Sequence, residues 1–510
     1  MHRSRITSPS QRAMGARCPR PAVSIGRRLT RDGLAAALLA LAAADAPAAT
    51  FVVDSTADGG SGSLRAAIAG ANANPAAPHR IEFALPPNST IVLATPLPSI
   101  GVALTIDGTA TPGLAIDGAG VVRPFTAGLG VSLSLRALTV RNGLAPDGLG
   151  GCVRTDAALV LDQVVLEGCV ANSGSASPAR GGALWVGGVL LMTASTITDS
   201  RAVSSGGAAV GGAAHSNGSA TIERSMFRGN LASGTTVAVG GALNVGRLSM
   251  TRSQFIGNRA ENPAVPESAY AGAVRTSTDG ASTIRQSLFF DNTAAYAAAL
   301  EAKPLSVGAT VTLAISNVTL AGNHGGPALA LTDAVVQLKN NSFWKNTSRE
   351  ALAAHLAIEG QGMHFAAASN NLFAATGDAR PACASTDVPA DLSGTQFNLF
   401  ADLSCSFIFD SSFYAPDIGR FIRGLRRTGS PYHDIAVVDF FAGARAVDGG
   451  QDALAPGEDS PFACTAGDAR DEDRPVDGDA DGVDRCDIGA LELQHEAPLF
   501  ADDLEVMLLR

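Results

Sequence analysis

Residues 150–346 decide the fold, because this stretch repeats a short glycine-rich box at a fixed interval. The five boxes are Gly150-Gly151-Cys152-Val153, Gly181-Gly182-Ala183-Leu184, Gly211-Gly212-Ala213-Ala214, Gly240-Gly241-Ala242-Leu243 and Ala271-Gly272-Ala273-Val274. Their second residues lie at positions 151, 182, 212, 241 and 272, so the repeat lengths are 31, 30, 29 and 31 residues. Weaker copies begin at Ala297 and Gly325. Such a period is typical of solenoids and propellers.

A second box alternates with the first and ends in asparagine. Its copies are Phe227-Arg228-Gly229-Asn230, Phe255-Ile256-Gly257-Asn258, Phe289-Phe290-Asp291-Asn292, Leu320-Ala321-Gly322-Asn323 and Phe343-Trp344-Lys345-Asn346. Between the boxes, runs such as residues 310–315 alternate with a period of two, which predicts strands. Helical periodicity is missing, and two Trp and four Tyr are too few for the aromatic signature of propeller blades.

These patterns predict an all-β fold, a right-handed parallel β-helix in which equivalent residues of successive coils stack about 4.8 Å apart. Glycine permits the sharp turns between strands, and small residues fill a narrow interior. The recurring asparagines have two interpretations. Their side chains could bind the next coil as a ladder, or they could mark solvent-exposed turns.

The paired boxes resemble the repeats of the polymorphic outer-membrane proteins. This resemblance covers residues 150 to about 346 and implies a parallel β-helix at the cell surface. The later units depart from the pattern, because Ala298 replaces a box glycine and Leu320 replaces the phenylalanine.

Residues 1–48 are predicted to be a signal peptide. Eight arginines precede an apolar run at residues 34–44, and Ala46-Pro47-Ala48 offers a small-residue cleavage site. The apolar run is too short to span a membrane as a helix. We therefore expect export, with an extracellular or outer-surface location and no transmembrane anchor in the mature chain.

Residues 50–149 are predicted to hold an N-terminal cap and the first coils. Leu64, Ile68 and Ala71 fall on one face of a short helix, and Ser61 or Ser63 can cap its first turn. A solenoid needs such an end piece, because its terminal coil exposes strand edges. The segment from Gly62 to Ile68 resembles the N-terminal module named after its Cys-Ser-Leu-Arg-Glu-Ala motif, which implies capping.

Residues 347–493 are predicted to form C-terminal coils and a cap, followed by a tail at residues 494–510. The motifs at residues 446–450, 471–475, 477–484 and 486–492 resemble the choice-of-anchor Q region of secreted bacterial β-helix proteins. In relatives, that region often precedes a surface-sorting signal.

An acidic loop in this region is a candidate calcium site. Asp477, Asp479 and Asp481 alternate before Gly482, and Asp484 could complete the ligand set, as in calcium-binding loops. The Glu expected at the twelfth loop position is replaced by Ile488. The alternative is a solvated acidic turn. Calcium is the only cofactor that the sequence suggests.

Six cysteines follow the leader, and their spacing favours nearest-neighbour disulfides: Cys152–Cys169, Cys383–Cys405 and Cys464–Cys486. Six cysteines allow 15 connectivities, so the sequence alone does not prove this one. Each interval is close to one coil, so we expect the bonds to link adjacent coils. Metal binding by these cysteines is disfavoured by the lack of Cys-x-x-Cys and of clustered histidines.

Charge and site patterns limit the possible functions. The chain carries a net charge of −10 and few lysines, which disfavours nucleic-acid binding. The acidic residues of the repeats are isolated in sequence, and Arg224, Arg252 and Arg285 read as solvent-facing repeat positions. His355, His364 and His433 read as ordinary surface or turn histidines.

Two functional hypotheses follow from these patterns. The first is a secreted or cell-surface, non-catalytic β-helix protein used in adhesion or cell-envelope interaction, with an unidentified extracellular protein or glycan as partner. The second is a polysaccharide lyase or glycoside hydrolase, since β-helices include such enzymes. Acidic side chains that meet an Arg or Lys in one cleft would favour the second.

Overall fold

The computed structural model describes residues 49–74, 78–277, 280–349, 353–360, 362–386, 394–406, 412–427, 436–440, 446–450, 463–477 and 483–492, with single residues 409, 444 and 460. These residues belong to one compact unit that begins at Ala48. The unit is a parallel β-solenoid of about 12 turns with one α-helix among the described residues. The predicted all-β, parallel β-helix fold is confirmed. The predicted signal peptide (1–48) and tail (494–510) lie outside the described residues.

Sheet A is the widest sheet, and a complete coil of the repeat region crosses it twice. The first crossings, called A1 strands, are Phe125–Ala127, Val153–Thr155, Leu184–Val186, Val274–Thr276, Leu300–Ala302, Leu329–Thr332, Leu356–Glu359 and Cys383–Ser385. The second crossings, called A2 strands, are Thr50–Val53, His79–Phe83, Leu104–Asp107, Leu133–Arg136, Leu159–Asp162, Leu190–Thr193, Ala281–Arg285, Val311–Ser316, Ala334–Lys339, His364–Ser369 and Thr395–Gln396. Two strands cover both crossings without a break, Ala214–Glu223 and Leu243–Thr251.

Three further parallel sheets complete the coils. Sheet B contains Thr90–Val92, Ala115–Asp117, Thr139–Arg141, Val165–Glu167, Thr196–Thr198, Met226–Arg228, Gln254–Ile256, Leu288–Phe290, Thr319–Ala321, Ser342–Trp344, Leu372–Phe373, Leu399–Phe400 and Phe413–Tyr414. Sheet C contains Leu144–Ala145, Val170–Ser173, Arg201–Ser204, Leu231–Gly234 and Arg259–Glu261, and His324–Gly325 pairs with Thr347–Ser348 further along. Sheet D contains Ala179–Arg180, Ala209–Val210, Ala238–Val239 and Ala269–Tyr270.

Each coil of the repeat region encloses two lobes that meet at a narrow neck. Sheets A and B surround the larger lobe, which holds the main hydrophobic core. Sheets C and D surround the smaller lobe, which is filled by the alanines Ala179, Ala202, Ala209, Ala232, Ala238, Ala260, Ala269 and Ala294. Alanine suits this lobe because its two walls of short strands are separated by little space.

The glycine boxes form the neck. Gly181 has φ +64°, a left-handed conformation that glycine adopts without steric cost. Gly182 then lies against the turn between sheets B and C of its own coil. A Cβ added there would come within 1.9 Å of the Gly212 carbonyl oxygen and 2.5 Å of Arg201 backbone atoms. The second box residue is therefore glycine because two backbones touch at this point.

The recurring asparagines form a buried ladder on the other side of the neck, which confirms the first of their two interpretations. The side-chain amide of Asn230 donates to the Oδ1 of Asn258 at 2.9 Å, and the same bond joins Asn258 to Asn292, and so on through Asn323 to Asn346. Each Oδ1 also accepts the backbone N–H of the preceding asparagine. The ladder thus satisfies polar groups that the neck buries.

His355 terminates this ladder, so the prediction that it is a surface or turn histidine is wrong. Its ring is fully buried. Nδ1 lies 3.0 Å from the side-chain amide of Asn346, and Nε2 lies 2.8 Å from the carbonyl oxygen of Ala374. These contacts assign Nε2 as the donor and Nδ1 as the acceptor. His364 is exposed, and His433 lies outside the described residues.

Both ends of the main core are closed. The helix Leu64–Asn72 packs against the first two strands of sheet A, with Leu64, Ile68 and Ala71 buried, and Ser63 caps it by accepting the N–H of Ala66. This confirms the predicted N-terminal helix. At the other end, Phe409 stacks on Phe373, with ring centroids 5.0 Å apart. Phe373 in turn stacks on Phe343, with centroids 4.7 Å apart, so Phe409 extends this phenylalanine stack past the last complete coil.

The three predicted disulfide pairs are confirmed, but none of them links adjacent coils. Cys152 lies in a glycine box and Cys169 in the turn between sheets B and C of the same coil, with a Cα–Cα distance of 5.5 Å. The neck brings these two places together, so the bond crosses the interior of one coil. Cys383–Cys405 closes the last coil in the same way, and Cys464–Cys486 lies within the C-terminal segment.

The C-terminal segment packs along the flank of the solenoid. An antiparallel hairpin, Ile422–Arg427 with Ala436–Phe440, covers part of the outer face of sheet B. Residues 463–477 and 483–492, called the strap, run past the turns between A2 and sheet B. Arg252 pairs with Asp471 of the strap at 2.6 Å, and Asn317 donates to the Gly467 carbonyl at 2.8 Å. Arg252 is therefore not the solvent-facing residue that its repeat position predicts.

Candidate functional site

The predicted calcium ligands are only partly described. Asp477 is half-buried and Asp484 is exposed, whereas Asp479 and Asp481 lie outside the described residues. Within the described part of the chain, no group of three or more His, Cys, Asp or Glu side chains is arranged to hold a metal ion. Calcium binding by this loop stays a prediction.

A row of large polar and aromatic side chains runs along the outer face of the A1 crossings. Strand register places them one above another at the central, outward position of successive coils, about 4.8 Å apart. The row consists of Arg154, Trp185, His215, Asn244, Arg275 and Glu301. The flanking side chains of each strand point inward to the core. None of the six is fully exposed.

Sheet D supplies a second row opposite the first. Its outward residues are in register as Arg180, Val210, Val239, Tyr270 and Tyr296. Because the chain turns sharply at each glycine box, the sheet D strand and the A1 strand diverge from the neck. Their outer faces therefore form the two walls of a groove that runs along the solenoid, with the boxes as its floor.

Contacts between the two walls support this geometry. At one end, Asp147 lies before the first box and Arg154 after it, and their side chains pair at 3.3 Å across the floor. In the middle, Arg180 of the sheet D wall lies close enough to His215 to affect its pKa. At the far end, Tyr296 lies beside Glu301 and Glu359 of the A1 wall.

The groove holds half of the Trp and Tyr residues of the chain. Of two Trp and four Tyr in the sequence, Trp185, Tyr270 and Tyr296 line it. The guanidinium of Arg154 lies 5.4 Å from the centroid of the Trp185 ring, a cation–π contact. Tyr270 and Tyr296 meet edge to face with centroids 5.7 Å apart. Such planar side chains are typical contacts for sugar rings.

His215 is the central polar residue of the groove. Its Nδ1 lies 3.1 Å from the amide of Asn244, and its Nε2 lies 3.0 Å from the Oδ1 of Asn217. Burial, with a smaller contribution from the nearby Arg180 charge, lowers the pKa of His215 to about 4 against the opposing hydrogen bond to Asn217. At neutral pH the ring is uncharged, so it presents a fixed donor and a fixed acceptor.

Glu301 lies at the far end of the groove in a mixed cluster. Its carboxylate is 3.5 Å from the Nε of Arg275, and Lys303 and Glu359 are close enough to influence it. Burial raises the pKa of Glu301, whereas Arg275 and Lys303 oppose that rise. Burial, together with Glu359, raises the pKa of Tyr296, so this hydroxyl is a hydrogen-bond donor rather than a base.

Two other concave places lie outside the groove. A cavity of about 430 Å³ lies on the opposite side of the neck, beside Asp117, Asn142 and Val170. Another of about 400 Å³ lies between the strap and the solenoid, beside Gln286, Lys339 and Thr465. Neither contains a row of aromatic and charged side chains.

None of the groove residues was singled out from the sequence. The six members of the row belong to five residue types, and they are separated by 26–31 positions, so no motif connects them. The one available signal was positional, since each is the fourth residue after the first glycine, or its replacement, of a box. That offset becomes meaningful only when the strand register is known.

A scan of protein-family models found no match to this chain, and a search of curated proteins found no significant match. Among the described residues, no helix is both long enough and apolar enough to cross a membrane.

Proposed function

We propose that this protein is exported and binds an extended glycan of the cell envelope or extracellular matrix in the groove between sheet D and the A1 strands. The single observation that carries the proposal is the row from Arg154 to Glu301, which repeats its contacts at the coil spacing. An extended polysaccharide offers its sugars at a comparable interval, so successive coils can contact successive sugars.

The residue chemistry of the groove fits such a partner. Trp185, Tyr270 and Tyr296 offer rings for stacking, and Asn244, whose amide is oriented by its hydrogen bond to His215, offers a polar contact. Three guanidinium groups, those of Arg154, Arg180 and Arg275, favour sugars that carry carboxylates. Three disulfides are typical of proteins in oxidising compartments, and the resemblance to surface-protein repeats also favours adhesion or cell-envelope interaction.

Isothermal titration of the purified protein with polyuronates and neutral glycans tests this proposal. We expect a subset of them to bind, with a loss of about tenfold or more in affinity for Trp185→Ala and for Arg154→Ala. Tyr414→Phe is a suitable control, because Tyr414 is exposed at the end of sheet B, away from the groove. Binding that is the same in all variants would reject the groove as the site.

A second candidate function is hydrolysis or elimination of the bound glycan. Glu301, Glu359, Arg275 and Lys303 form the combination of acidic and basic side chains that such chemistry needs. The burial of Glu301, which is 1% exposed, favours the non-catalytic function, because substrate reaches this carboxyl only if a neighbour moves.

Assays for reducing ends and for unsaturated ends separate the two functions. Product release by the wild-type protein and its loss in Glu301→Gln would establish the enzyme. Binding without product by both proteins would support the non-catalytic function.

A further inference from the structure

Three buried polar atoms at the far end of the groove have no hydrogen-bond partner among the described residues. They are the Oη of Tyr296, the Oε2 of Glu301 and the Oγ1 of Thr332. Glu301 is 1% exposed and Thr332 is 9% exposed. The Oε2 of Glu301 keeps an ion pair with the Nε of Arg275 at 3.5 Å, but none of the three atoms has a hydrogen bond of normal geometry. Incomplete pairing of buried polar atoms is costly, at up to about 1–3 kcal/mol each, so their convergence at one place needs a compensating role.

The wall beside these atoms is indented. Ala330 and Ala357 follow Glu301 in register on the next two A1 strands, where the preceding coils carry large side chains. Thr332 and Glu359 are the next outward residues on the same two strands. The result is a recess bounded by Glu301 at one end and by Thr332 and Glu359 at the side.

Tyr296 covers the recess from the opposite wall. Its hydroxyl lies near Thr332 and Glu359 but makes no hydrogen bond of normal geometry to either. Among the described residues, its backbone pairs with sheet D through a bridge to Tyr270, at the edge of that sheet. Because no hydrogen bond holds the hydroxyl, rotation of the side chain would open the recess to the groove.

We propose that this recess is a subsite for one sugar ring of the glycan, gated by the side chain of Tyr296. The inference rests on the proposed glycan binding and adds the place where one sugar is buried. When the gate opens, sugar hydroxyls satisfy Thr332 and Glu301, and the tyrosine hydroxyl regains a partner on the ligand. Arg275 and Lys303 lie beside the recess, so a sugar carboxylate is accommodated as well as a neutral ring.

The test is a titration series with oligogalacturonates and cello-oligosaccharides of increasing length, followed by calorimetry and by fluorescence. Trp344→Phe leaves Trp185 as the sole tryptophan, so its emission reports groove occupancy independently of the recess. For wild type, one added sugar should raise affinity sharply once the oligomer spans Trp185 to Glu301. Thr332→Val and Tyr296→Phe should each lower the affinity for that longer oligomer about tenfold.

Matched controls are Thr221→Val, on the outer face of an A2 crossing, and Tyr414→Phe. Melting curves confirm that every variant is folded. If the oligomers change the Trp185 emission and the recess variants bind them as tightly as the wild-type protein does, the subsite is overturned but glycan binding stands. The absence of any Trp185 response with every oligomer would overturn both. Loss of affinity in the control variants to the same degree would also overturn the subsite.

Discussion

The coils of residues 150–296 and those that follow differ at the neck, although they continue the same sheets A and B. In the earlier coils each box approaches the turn between sheets B and C, and sheets C and D form the small lobe. In the later coils the box becomes Ala297-Ala298-Ala299, and the last described bridge of sheet D is at Tyr296. Ladder asparagines are 28, 34 and 31 residues apart from Asn230 to Asn323, but only 23 apart from Asn323 to Asn346.

This difference shows that the glycine boxes build the groove. Where the neck has its close backbone contacts, sheet D diverges from sheet A and a two-walled surface exists. Beyond Glu301, the outward A1 positions carry Ala330 and Ala357. The main core needs only the stacked strands and the asparagine ladder. The small lobe is therefore the feature that converts a plain solenoid into one with a two-walled groove.

The largest effect should come from filling the neck. Gly212→Val places a side chain where a Cβ alone would lie 2.0 Å from the Gly241 carbonyl oxygen, so we expect a loss of about 4 kcal/mol or more in the free energy of unfolding, or no folded protein. Urea denaturation or soluble yield measures this.

Two substitutions serve as its controls. Gly257→Ala meets no atom within 4 Å but keeps φ +63°, so it should cost only about 1–2 kcal/mol. Ala298→Gly, in the later coils, should cost less than about 1 kcal/mol. A tolerated Gly212→Val would show that the neck is not closely packed.

The repeat period, the strands, the parallel stacking, the N-terminal helix and the disulfide pairs could be predicted from sequence, because each leaves a local or periodic signal. The groove could not. Arg154, Trp185 and His215 share a face only because coils of 31 and 30 residues are in strict register. The burial of Glu301 and His355 depends on neighbours from other coils, which the sequence around them does not specify.

The asparagine ladder should give the next largest effect. Asn292→Ala removes the acceptor for both the backbone and the side-chain N–H of Asn258, and both donors are buried. We expect a loss of about 3 kcal/mol in unfolding free energy, measured by urea denaturation. A second ladder of buried asparagines joins Asn341 through Asn371 to Asn398. Asn398→Ala also removes the acceptor for a buried backbone N–H and a buried side-chain N–H, those of Asn371, so it should cost about as much. A much smaller cost for either variant would indicate that the ladder bonds do not stabilise the coils.

Acid should destabilise the protein through His355. Burial lowers the pKa of His355 to about 4 from an ordinary value of 6.5, so the unfolded chain binds a proton more readily than the folded one. The contribution of the uncharged His355 ring to the free energy of unfolding is therefore complete above pH 6.5 and declines as pH falls toward 4. Between pH 7 and pH 5 we expect a loss of about 2 kcal/mol.

The contribution of His355 is isolated by comparing the melting temperatures of the wild-type protein and of His355→Asn between pH 7 and pH 5. Asparagine can continue the amide ladder but does not titrate. His215→Asn provides the parallel comparison for the groove, since His215 has the same shifted pKa of about 4. An unchanged pH dependence in His355→Asn would contradict the assignment.

The strap should contribute least. Arg252 and Asp471 form a well-aligned pair, but both side chains are partly exposed, at 23% and 38%. Arg252→Ala should therefore cost less than about 1 kcal/mol at low salt and still less in 0.5 M salt. Differential scanning calorimetry at both salt concentrations measures it. A cost as large as that of Asn292→Ala would mean that the strap, and not the ladder, holds these coils.

The most direct test of glycan binding in the groove is the crystal structure of the protein with a bound oligosaccharide, chosen from the calorimetric series. We expect sugar density along the groove, over Gly182, Gly212 and Gly241, with rings against Trp185 and Tyr270. Density instead in the cavity beside Asp117, or along the strap, would contradict it.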